Sequence, residues 1–590
     1  MTIIVQKFGG TSVADSEKIL SAARRAVAAQ QQGNQIVVVV SAMGKNTDML
    51  VDLAGQIHSR PPAREMDMLL STGEQVSVAL MAMAIDSLGS QAVSLTGAQI
   101  GIKTDSSHTK ARILSISTDR LHTLLDNGNI VIAAGFQGID EDFNITTLGR
   151  GGSDLTAVAL AAVLGAEACE IYTDVTGVYT TDPRILPEAR KVEQISYDEM
   201  LELASLGAGV LHSRSVEFAK RYNVPIHVRH SFSDQVGTLV VSDPESPNQA
   251  VGGAAVTKNE ALVSVKDVPD CPGTSLAIFS GVAQEHIAMD MIIQNVGEDG
   301  KANISFTVLE DDLPTTRDAI ERALQELGSG HIEVGTGVAK VSVVGLGMAQ
   351  QIGVADRMFR TLANAGINIS MITTSEIKIS VLVEHEQAQE ALRAIHAAFE
   401  LEKPPEETFS GEIKQRGDSD ALRVFTDLAG MEGLCVDGIL LDNNQARITI
   451  SHIPDEPGIA ARTFEKVAGE GIFVDMIVQS YSTGGKADLS FTVPRDHLTK
   501  AVEVAQQLAN EMDCGMVTSC PQVAKLSVSG IGLRSHTGVA IRIFQAMATA
   551  EINIEMVNTS EVRVNVVIAG DCGEEGLDCL QEAFADVLMR

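Results

Sequence analysis

Ile3-Ile4-Val5-Gln6-Lys7-Phe8-Gly9-Gly10-Thr11-Ser12 is a short apolar run ending in a lysine and a glycine pair, and a helical pattern begins near Asp15. The order predicts strand, glycine turn, helix. Paired glycines let backbone amides approach a phosphate without Cβ obstruction, a helix N-terminus adds partial positive charge, and Lys7 at the strand's end reaches a transferring phosphoryl group. The stretch predicts a phosphate cradle. It lacks the signature of the common nucleotide hydrolases, because no G-x-x-x-x-G-K-[ST] occurs in the chain. By itself a Gly-Gly pair after a strand is also an ordinary tight turn, and the remaining residues have to decide.

At 590 residues the chain is too long for one core and divides into several domains. Aromatic residues are 4% with no Trp, which disfavours base-stacking nucleic-acid readers. The formal net charge of −33 repels phosphate backbones and anionic membranes, so a phosphorylated ligand has to be held by a few local cations, amides or a metal. The expectation is small-molecule chemistry, with neither nucleic acid nor membrane as partner. Cys169, Cys271, Cys435, Cys514, Cys520, Cys572 and Cys579 are scattered with no C-x-x-C and no neighbouring His cluster, which reads as reduced thiols without a protein metal site. No basic leader with an apolar core and no membrane-length apolar run is present, and the cytoplasm is the expected compartment.

After the cradle, Ser16 to Gln32 reads as a helix and Gln35–Val40 as a buried strand ending in Ser41-Ala42-Met43-Gly44. Helices are expected near 47–58, 64–88 and 118–127, strands near Gln91–Leu95 and Asn129–Phe136, and a hairpin around Asp140-Glu141-Asp142. Alternating strands and helices predict an α/β sheet covered on both faces, with ligand at the strands' carboxyl ends, where Lys7, Ser41 and Gly135 fall. Leu148-Gly149-Arg150-Gly151-Gly152-Ser153-Asp154 opens the next helix. Helix capping accounts for Ser153 and Asp154, whereas a guanidinium beside two glycines predicts a second anion site, with Arg150 gripping a carboxylate. Strand Cys169–Thr173 leads into a polar loop from Asp174 to Arg184 that offers Tyr179 for a base and Arg184 for phosphates. Helices near 197–206 and 213–222, a strand Ile226–Arg229 and a Pro/Ser/Asp linker close this part.

Together, Lys7-Phe8-Gly9-Gly10-Thr11-Ser12, Ser41-Ala42-Met43-Gly44, Ser71-Thr72-Gly73-Glu74, Gly149-Arg150-Gly151-Gly152-Ser153-Asp154 and Tyr172-Thr173-Asp174…Gly177-Val178-Tyr179…Asp182-Pro183-Arg184 occur in an order and spacing that resemble the aspartate kinases of the amino acid kinase family. The resemblance implies transfer of the ATP γ-phosphoryl group to the side-chain carboxylate of L-aspartate, giving 4-phospho-L-aspartate, with ATP and Mg2+. It implies Lys7, Arg150 and Asp154 as catalytic residues. The substrate side is Thr47, Glu74, Leu125, Asp126, Arg150, Gly151, Gly152 and Ser153. The nucleotide side is Lys7, the amides of Phe8, Gly9 and Gly10, Ser41, Thr173, Asp174, Tyr179, Asp182, Pro183 and Arg184.

The second half repeats. Asp270-Cys271-Pro272-Gly273 recurs as Asp455-Glu456-Pro457-Gly458, an offset of 455 − 270 = 185, and the same offset carries Asp290-Met291 to Asp475-Met476, Ile367-Asn368-Ile369 to Ile552-Asn553-Ile554 and Ser375-Glu376 to Ser560-Glu561. Each copy holds a strand, Gly-turn, helix, strand theme twice, which resembles the ACT domain, a ferredoxin-like βαββαβ ligand module. The expected organisation is an α/β/α kinase sandwich at 1–240 and a linker at 241–250. Four ACT units in two tandem pairs follow, at 263–337, 251–262 plus 338–405, 448–522 and 436–447 plus 523–590, with a connector at 406–435; this arrangement resembles aspartate kinases of cyanobacterial type. In the resemblance, lysine and threonine, end products of the pathway, bind the ACT units as feedback inhibitors, and the chain forms a homodimer through them. Effector contacts are expected from Asp270, Gly273, Ser275, Asp290 and Gln294 of the first unit with Asn368, Ile369, Ser375 and Glu376 facing from the second. In the second copy they are Asp455, Gly458, Ala460, Asp475, Gln479, Asn553, Ile554, Ser560 and Glu561. Phe473, where the family carries a polar residue, is expected to narrow or alter the third unit's pocket. Gly345-Leu346-Gly347 and Gly530-Ile531-Gly532 lack the third glycine of a dinucleotide fingerprint and read as ACT turns. The alternatives are another amino acid kinase, acting for example on glutamate or N-acetylglutamate, and a non-catalytic amino-acid sensor, which would have lost Lys7 or Arg150.

Overall fold

The computed structural model describes residues 1–590 apart from 208–209, 286, 297–299, 406–429, 481–484, 513, 534–537 and 589–590. Most of the expected connector therefore lies outside the described residues.

Strands β1 (Ile3–Phe8), β2 (Gln35–Val40), β3 (Ala92–Leu95), β4 (Ile102–Thr104), β5 (Ile113–Ile116), β6 (Ile130–Ala134), β7 (Gln137–Ile139), β8 (Ile145–Thr147), β9 (Ala168–Thr173), β10 (Gln194–Ser196), β11 (Ile226–His230) and β12 (Thr238–Val241) form the first part. They alternate with α1 (Ser16–Gln31), α2 (Asn46–Ile57), α3 (Ala63–Ser87), α4 (Gly97–Ile100), α5 (Asp119–Asp126), α6 (Gly152–Val163), α7 (Tyr197–Ser205) and α8 (Ser213–Arg221). An eight-stranded sheet runs β10-β12-β11-β9-β1-β2-β6-β3, with β1 parallel to both β2 and β9 at its centre. The uninterrupted Ile36–Val40 run belongs to a strand buried on both faces. Ile36, Val38 and Val40 pack with α1 and α3, while Val37 and Val39 pack with α6. Every residue of α6 is buried, so its sequence is apolar all round. Among the described residues α3 alone is long and apolar enough to cross a membrane, and half of its apolar window is buried inside the domain. The small sheet β5-β4-β7-β8 contains two strands that the sequence reading did not anticipate, β4 and β5. At three and four residues they are too short for alternation to register.

The second part is one twelve-stranded sheet: β13 (Gly253–Pro269), β14 (Asp290–Val296), β15 (Lys301–Leu309), β16 (His331–Val344), β17 (Met371–Thr374), β18 (Lys378–Glu384), β19 (Cys435–Pro454), β20 (Ile477–Gln479), β21 (Lys486–Pro494), β22 (Val517–Ile531), β23 (Ile554–Thr559) and β24 (Arg563–Ala569). Strand β13 runs through the expected unit boundary between residues 262 and 263, with its register shifted between Thr257 and Leu262. Its first stretch pairs with Val341–Val344 and its second with β15, so two units share a long strand. The copies join where β17 pairs with β20. At the other end β14 and β23 lie side by side, bridged by Gln294, whose Nε2 donates to the Ile554 carbonyl at 2.6 Å. The ring so formed has an apolar lining in which each unit places one methionine: Met291, Met371, Met476 and Met556 are all buried in a single cluster. These are two pairs at the 185-residue offset, and the unbranched thioether suits a core that four non-identical units must fill together.

Candidate active site and effector grooves

The cradle begins where β1 ends. Phe8 is fully buried with its ring stacked on Tyr172 at 4.7 Å, so only its backbone is available to a ligand. Lys7 points the other way and its Nζ lies 2.5 Å from Asp154 Oδ1 in the first turn of α6. The expected use of the Gly9 amide is corrected, because it donates to the Tyr172 carbonyl at 3.3 Å and continues the sheet. The free amides are those that open the 3-10 turn Gly10–Val13, where a helix start leaves donors unpaired. Gly10 cannot carry a side chain: a Cβ there would stand 2.7 Å from the Ala42 carbonyl. The Gly44 amide donates to the Gly10 carbonyl at 3.0 Å and brings Thr47, in the first turn of α2, beside the cradle. Ser41 follows β2 directly, and its amide donates to the Phe8 carbonyl at 3.2 Å.

Glu74 sits on the inner face of α3. Its Oε1 accepts from the Ala42 amide at 3.0 Å, while Oε2 is buried with no hydrogen-bond partner among the described residues. Burial pushes its carboxyl up to about 7, against the pull of the Ala42 amide. Such a group is protonated below about pH 7, and a cation arriving to pair with it favours the carboxylate. Across the site, Arg150 is exposed and forms no ion pair among the described residues, so its guanidinium is free for an anion. Gly151 takes φ +71°, and a Cβ there would come within 2.3 Å of His212 Cβ. His212 precedes α8 and packs over the Arg150 loop, where burial, and after it Arg214, hold its imidazole below the usual range. His212 Nδ1 accepts from the Arg214 amide at 3.4 Å, and since His is not among the favoured N-cap residues, the residues around it give no signal for this position. Gly151→Ala is expected to weaken anion binding at this loop about tenfold and to lower stability by about 2 kcal/mol, since the αL conformation disfavours a side chain and the added Cβ would collide with His212. Ligand titration beside thermal melting checks this, and unchanged binding would contradict it.

On the nucleotide side, Thr173 Oγ1 donates to Asp174 at 3.1 Å and Tyr179 OH bonds Thr176 at 2.6 Å. Asp182 and Arg184, flanking Pro183, pair at 2.7 Å, which holds the Asp182 carboxyl below its ordinary range; Arg184 is turned toward that partner. Ser231, absent from the reading, bonds Ser12 Oγ at 2.5 Å and the Thr173 carbonyl at 2.9 Å, tying the cradle to this loop. Leu125 and Asp126 are corrected. Leu125 is a core side chain, and Asp126 accepts from Gln35 at 3.0 Å, at the start of β2 and thus at the opposite end of the strands from Lys7.

A lysine–aspartate pair at a glycine turn, an exposed arginine beside two glycines and a buried carboxyl whose titration is raised to about 7 suit a reaction that joins two anions. Residues 2–230 match the model of the amino acid kinase family, and residues 341–399, 449–507 and 526–584 match that of the ACT domain. An aspartate kinase of Pseudomonas putida is 49% identical over 406 residues, covering 68% of this chain and 99% of that protein. An aspartokinase of Bacillus sp. (strain MGA3) is 52% identical over 402 residues, 68% of this chain and 98% of its own length. The chain belongs to the aspartate kinases. The crystal structure of the aspartate kinase from Synechocystis covers 99% of this kinase and 98% of its own chain at 42% identity, with a TM-score of 0.52. That of E. coli aspartokinase III in complex with aspartate and ADP covers 67% and 99% at 27% identity, with a TM-score of 0.58. The kinase identity and the α/β fold followed by ACT domains are thus as the sequence reading expected, and the sensor-only reading is set aside.

The effector residues of this aspartate kinase do not assemble as expected. The first unit faces the fourth, and the second faces the third. Asn368 Nδ2 donates to Asp455 Oδ1 at 2.7 Å and Gln479 Nε2 to the Ile369 carbonyl at 3.0 Å, in a groove that Gly458 and Ala460 also line. The equivalent groove pairs Asn553 with Asp270 at 2.8 Å and Gln294 with Ile554, and Ser275 donates to Gln294 at 2.6 Å beside Gly273. The reason is geometric: units within a copy already share β13 and β16, or β19 and β22, so their outer strands have to find partners in the other copy. Asp290 and Asp475, expected to hold a ligand ammonium, are instead paired with buried Lys340, at 2.5 Å and shared with Glu260 at 2.7 Å, and with Lys525. Ser375 and Glu376 lie apart from Asn368, in a cavity of about 200 Å³ with Phe473, Asp475 and Asp356. Its counterpart around Ala288 and Ser560 measures about 50 Å³, and Phe473 lines the larger of the two.

The two Ser-Glu turns also touch the catalytic head. Glu202 of α7, wholly buried, accepts from the Glu561 amide at 3.0 Å and pairs with Lys378 at 2.8 Å, while Glu376 pairs with Arg563 across the two units. Glu199 of the same helix accepts from the Leu346 amide at 3.2 Å, inside the Gly345-Leu346-Gly347 turn.

Proposed function

We propose that Lys7 neutralises the γ-phosphoryl group of ATP in flight to the β-carboxylate of L-aspartate, that Arg150 grips the substrate's other carboxylate, and that Glu74 receives its ammonium. The observation that carries this reading is the Lys7–Asp154 pair at 2.5 Å, set between the glycine turn and the Arg150 loop. The nucleophile is already ionised at neutral pH and needs no base, so positioning and charge neutralisation do the catalysis, and Asp154 serves to aim Lys7. The described residues contain no cluster of three acidic, His or Cys side chains. Such a surrounding fits a Mg2+ carried on the nucleotide's phosphates, where it adds positive charge. Thr173, Asp174, Tyr179, Asp182, Pro183 and Arg184 form the adenosine side, and Ser41, Thr47, Gly152 and Ser153 complete the wall.

Lysine and threonine are proposed as the ligands of the two Asn–Asp grooves. Occupancy biases the kinase through α7, whose Glu202 joins turns of the second and fourth units, and inhibition then requires a ligand to bind one arrangement better than the other. A cytoplasmic homodimer is part of the proposal, with its contact on surfaces other than the edge strands that the chain itself consumes. Hydroxamate trapping of the acyl phosphate, run alone, with lysine, with threonine and with both, tests the reading. Asp455→Ala and Asp270→Ala are each expected to weaken inhibition by one effector about tenfold or more. Inhibition that both variants leave intact would remove the grooves from the proposal.

A further inference from the structure

The segment just ahead of β19 does not run with the ACT sheet. Its residues Met431 to Gly433 lie against the kinase domain: the Met431 amide donates to the Leu114 carbonyl at 3.3 Å, the Glu432 amide to the Ile113 carbonyl at 3.2 Å, and Tyr222 OH to the Met431 carbonyl at 3.1 Å. Met431 is 3% exposed, within the core cluster of the catalytic domain. The strap is therefore a built part of the catalytic head.

Glu432 is the group it delivers. Its Oε2 accepts from the Ile113 amide at 2.6 Å, and its two oxygens accept from Arg214 Nε at 3.0 Å and Nη2 at 2.8 and 3.1 Å. The Glu432 side chain is 7% exposed and that of Arg214 15%. The remaining Arg214 donors hold two carbonyls, Ala111 at 2.9 Å and Leu148 through Nη1. Leu148 immediately precedes Gly149-Arg150-Gly151. A guanidinium at this depth needs a counter-charge to stay in place, and a bidentate carboxylate also sets its plane. With His212 packed over Gly151 from the start of the same helix, the Arg150 loop is held on one side by that ring and on the other by Arg214.

We propose that Glu432 is a positioning residue for the substrate loop: by fixing Arg214 it fixes the Leu148 carbonyl, and through it the direction in which Arg150 presents its guanidinium. The inference rests on the reading that Arg150 grips L-aspartate. Only Leu434 separates the strap from Cys435, which pairs with Ile531 in the fourth unit, so the second ACT copy is anchored to the aspartate side of the active site at this point.

The test uses the full chain with Glu432→Gln, Glu432→Asp and Arg150→Ala, measuring KM for L-aspartate and for ATP, kcat and thermal melting. Glu432→Gln keeps the shape and removes the charge; it is expected to raise the KM for aspartate about tenfold and to leave the KM for ATP within about twofold. Glu432→Asp is expected to recover most of that loss, and Arg150→Ala to raise the aspartate KM further still. If Arg150→Ala raises the aspartate KM and Glu432→Gln does not, the inference is overturned while the Arg150 reading stands. Parallel rises in both KM values with a lower melting temperature, not relieved by Glu432→Asp, would overturn it by making the strap a general brace. No effect of Arg150→Ala would remove the reading underneath and the inference with it.

Discussion

Lys7→Ala is expected to lower kcat about 10³-fold, about 4 kcal/mol of transition-state stabilisation, with a much smaller change in the KM for ATP. In the proposed role the charge of Lys7 lies where negative charge is transferred, so its loss should fall on the chemical step more than on ground-state binding. The variant also leaves Asp154, only 12% exposed, as an unpaired carboxylate next to a polyanion. Repulsion then adds to the lost attraction. Hydroxamate formation at saturating ATP and aspartate measures the effect, and a fall of less than tenfold would show that the charge is met without the lysine.

The second large effect is a pH dependence centred on Glu74. Its carboxyl, pushed to about 7 by burial, is protonated in the empty enzyme below that pH, whereas pairing with an ammonium requires the carboxylate. The KM for L-aspartate is therefore expected to climb toward tenfold per pH unit as pH falls below 7, with proton release on binding. Glu74→Gln should abolish this slope and raise the KM about 10²-fold at pH 8. The stability sign is opposite. A carboxyl whose folded pKa of about 7 exceeds its ordinary 4.5 favours the fold fully below 4.5 and loses that contribution as pH rises through 7, an upper bound of about 3 kcal/mol. Without ligand, Glu74→Gln should thus melt higher than the parent at pH 8. A variant that binds aspartate worse and also melts lower would mark Glu74 as a structural residue.

How far the residues alone could be read varied with the kind of contact. The strand, glycine turn and helix around Lys7 to Gly10 were legible as elements because those residues are consecutive and a strand followed by a glycine turn has few conformations. The helix that opens after Arg150 was legible for the same reason. Leu125 and Asp126 were carried over by resemblance alone, and the fold puts Leu125 in the core and Asp126 at the opposite end of the strands from Lys7. Glu74 was readable by resemblance, while its unpaired Oε2 and raised carboxyl depend on Ala42, thirty-two residues away. Ser231, His212 and Glu432 reach their sites from still more distant segments, and nothing in their neighbouring residues announces a destination.

The duplication shows the division most clearly. A constant offset of 185 residues makes both copies and their four strand-turn-helix themes evident, because each theme is a local pattern of hydrophobic period and glycine. The same pattern is silent on which edges meet, since strand edges in every unit carry the same hydrogen-bonding groups. The sequence by itself determined a glycine-turn kinase head and a repeated ACT tail. Only the tertiary structure decided that the second unit closes on the third and the first on the fourth, that Asp290 belongs to Lys340, and that Glu432 reaches the Arg150 loop, because those choices rest on shared long strands and buried charges whose partners are brought together only by the fold.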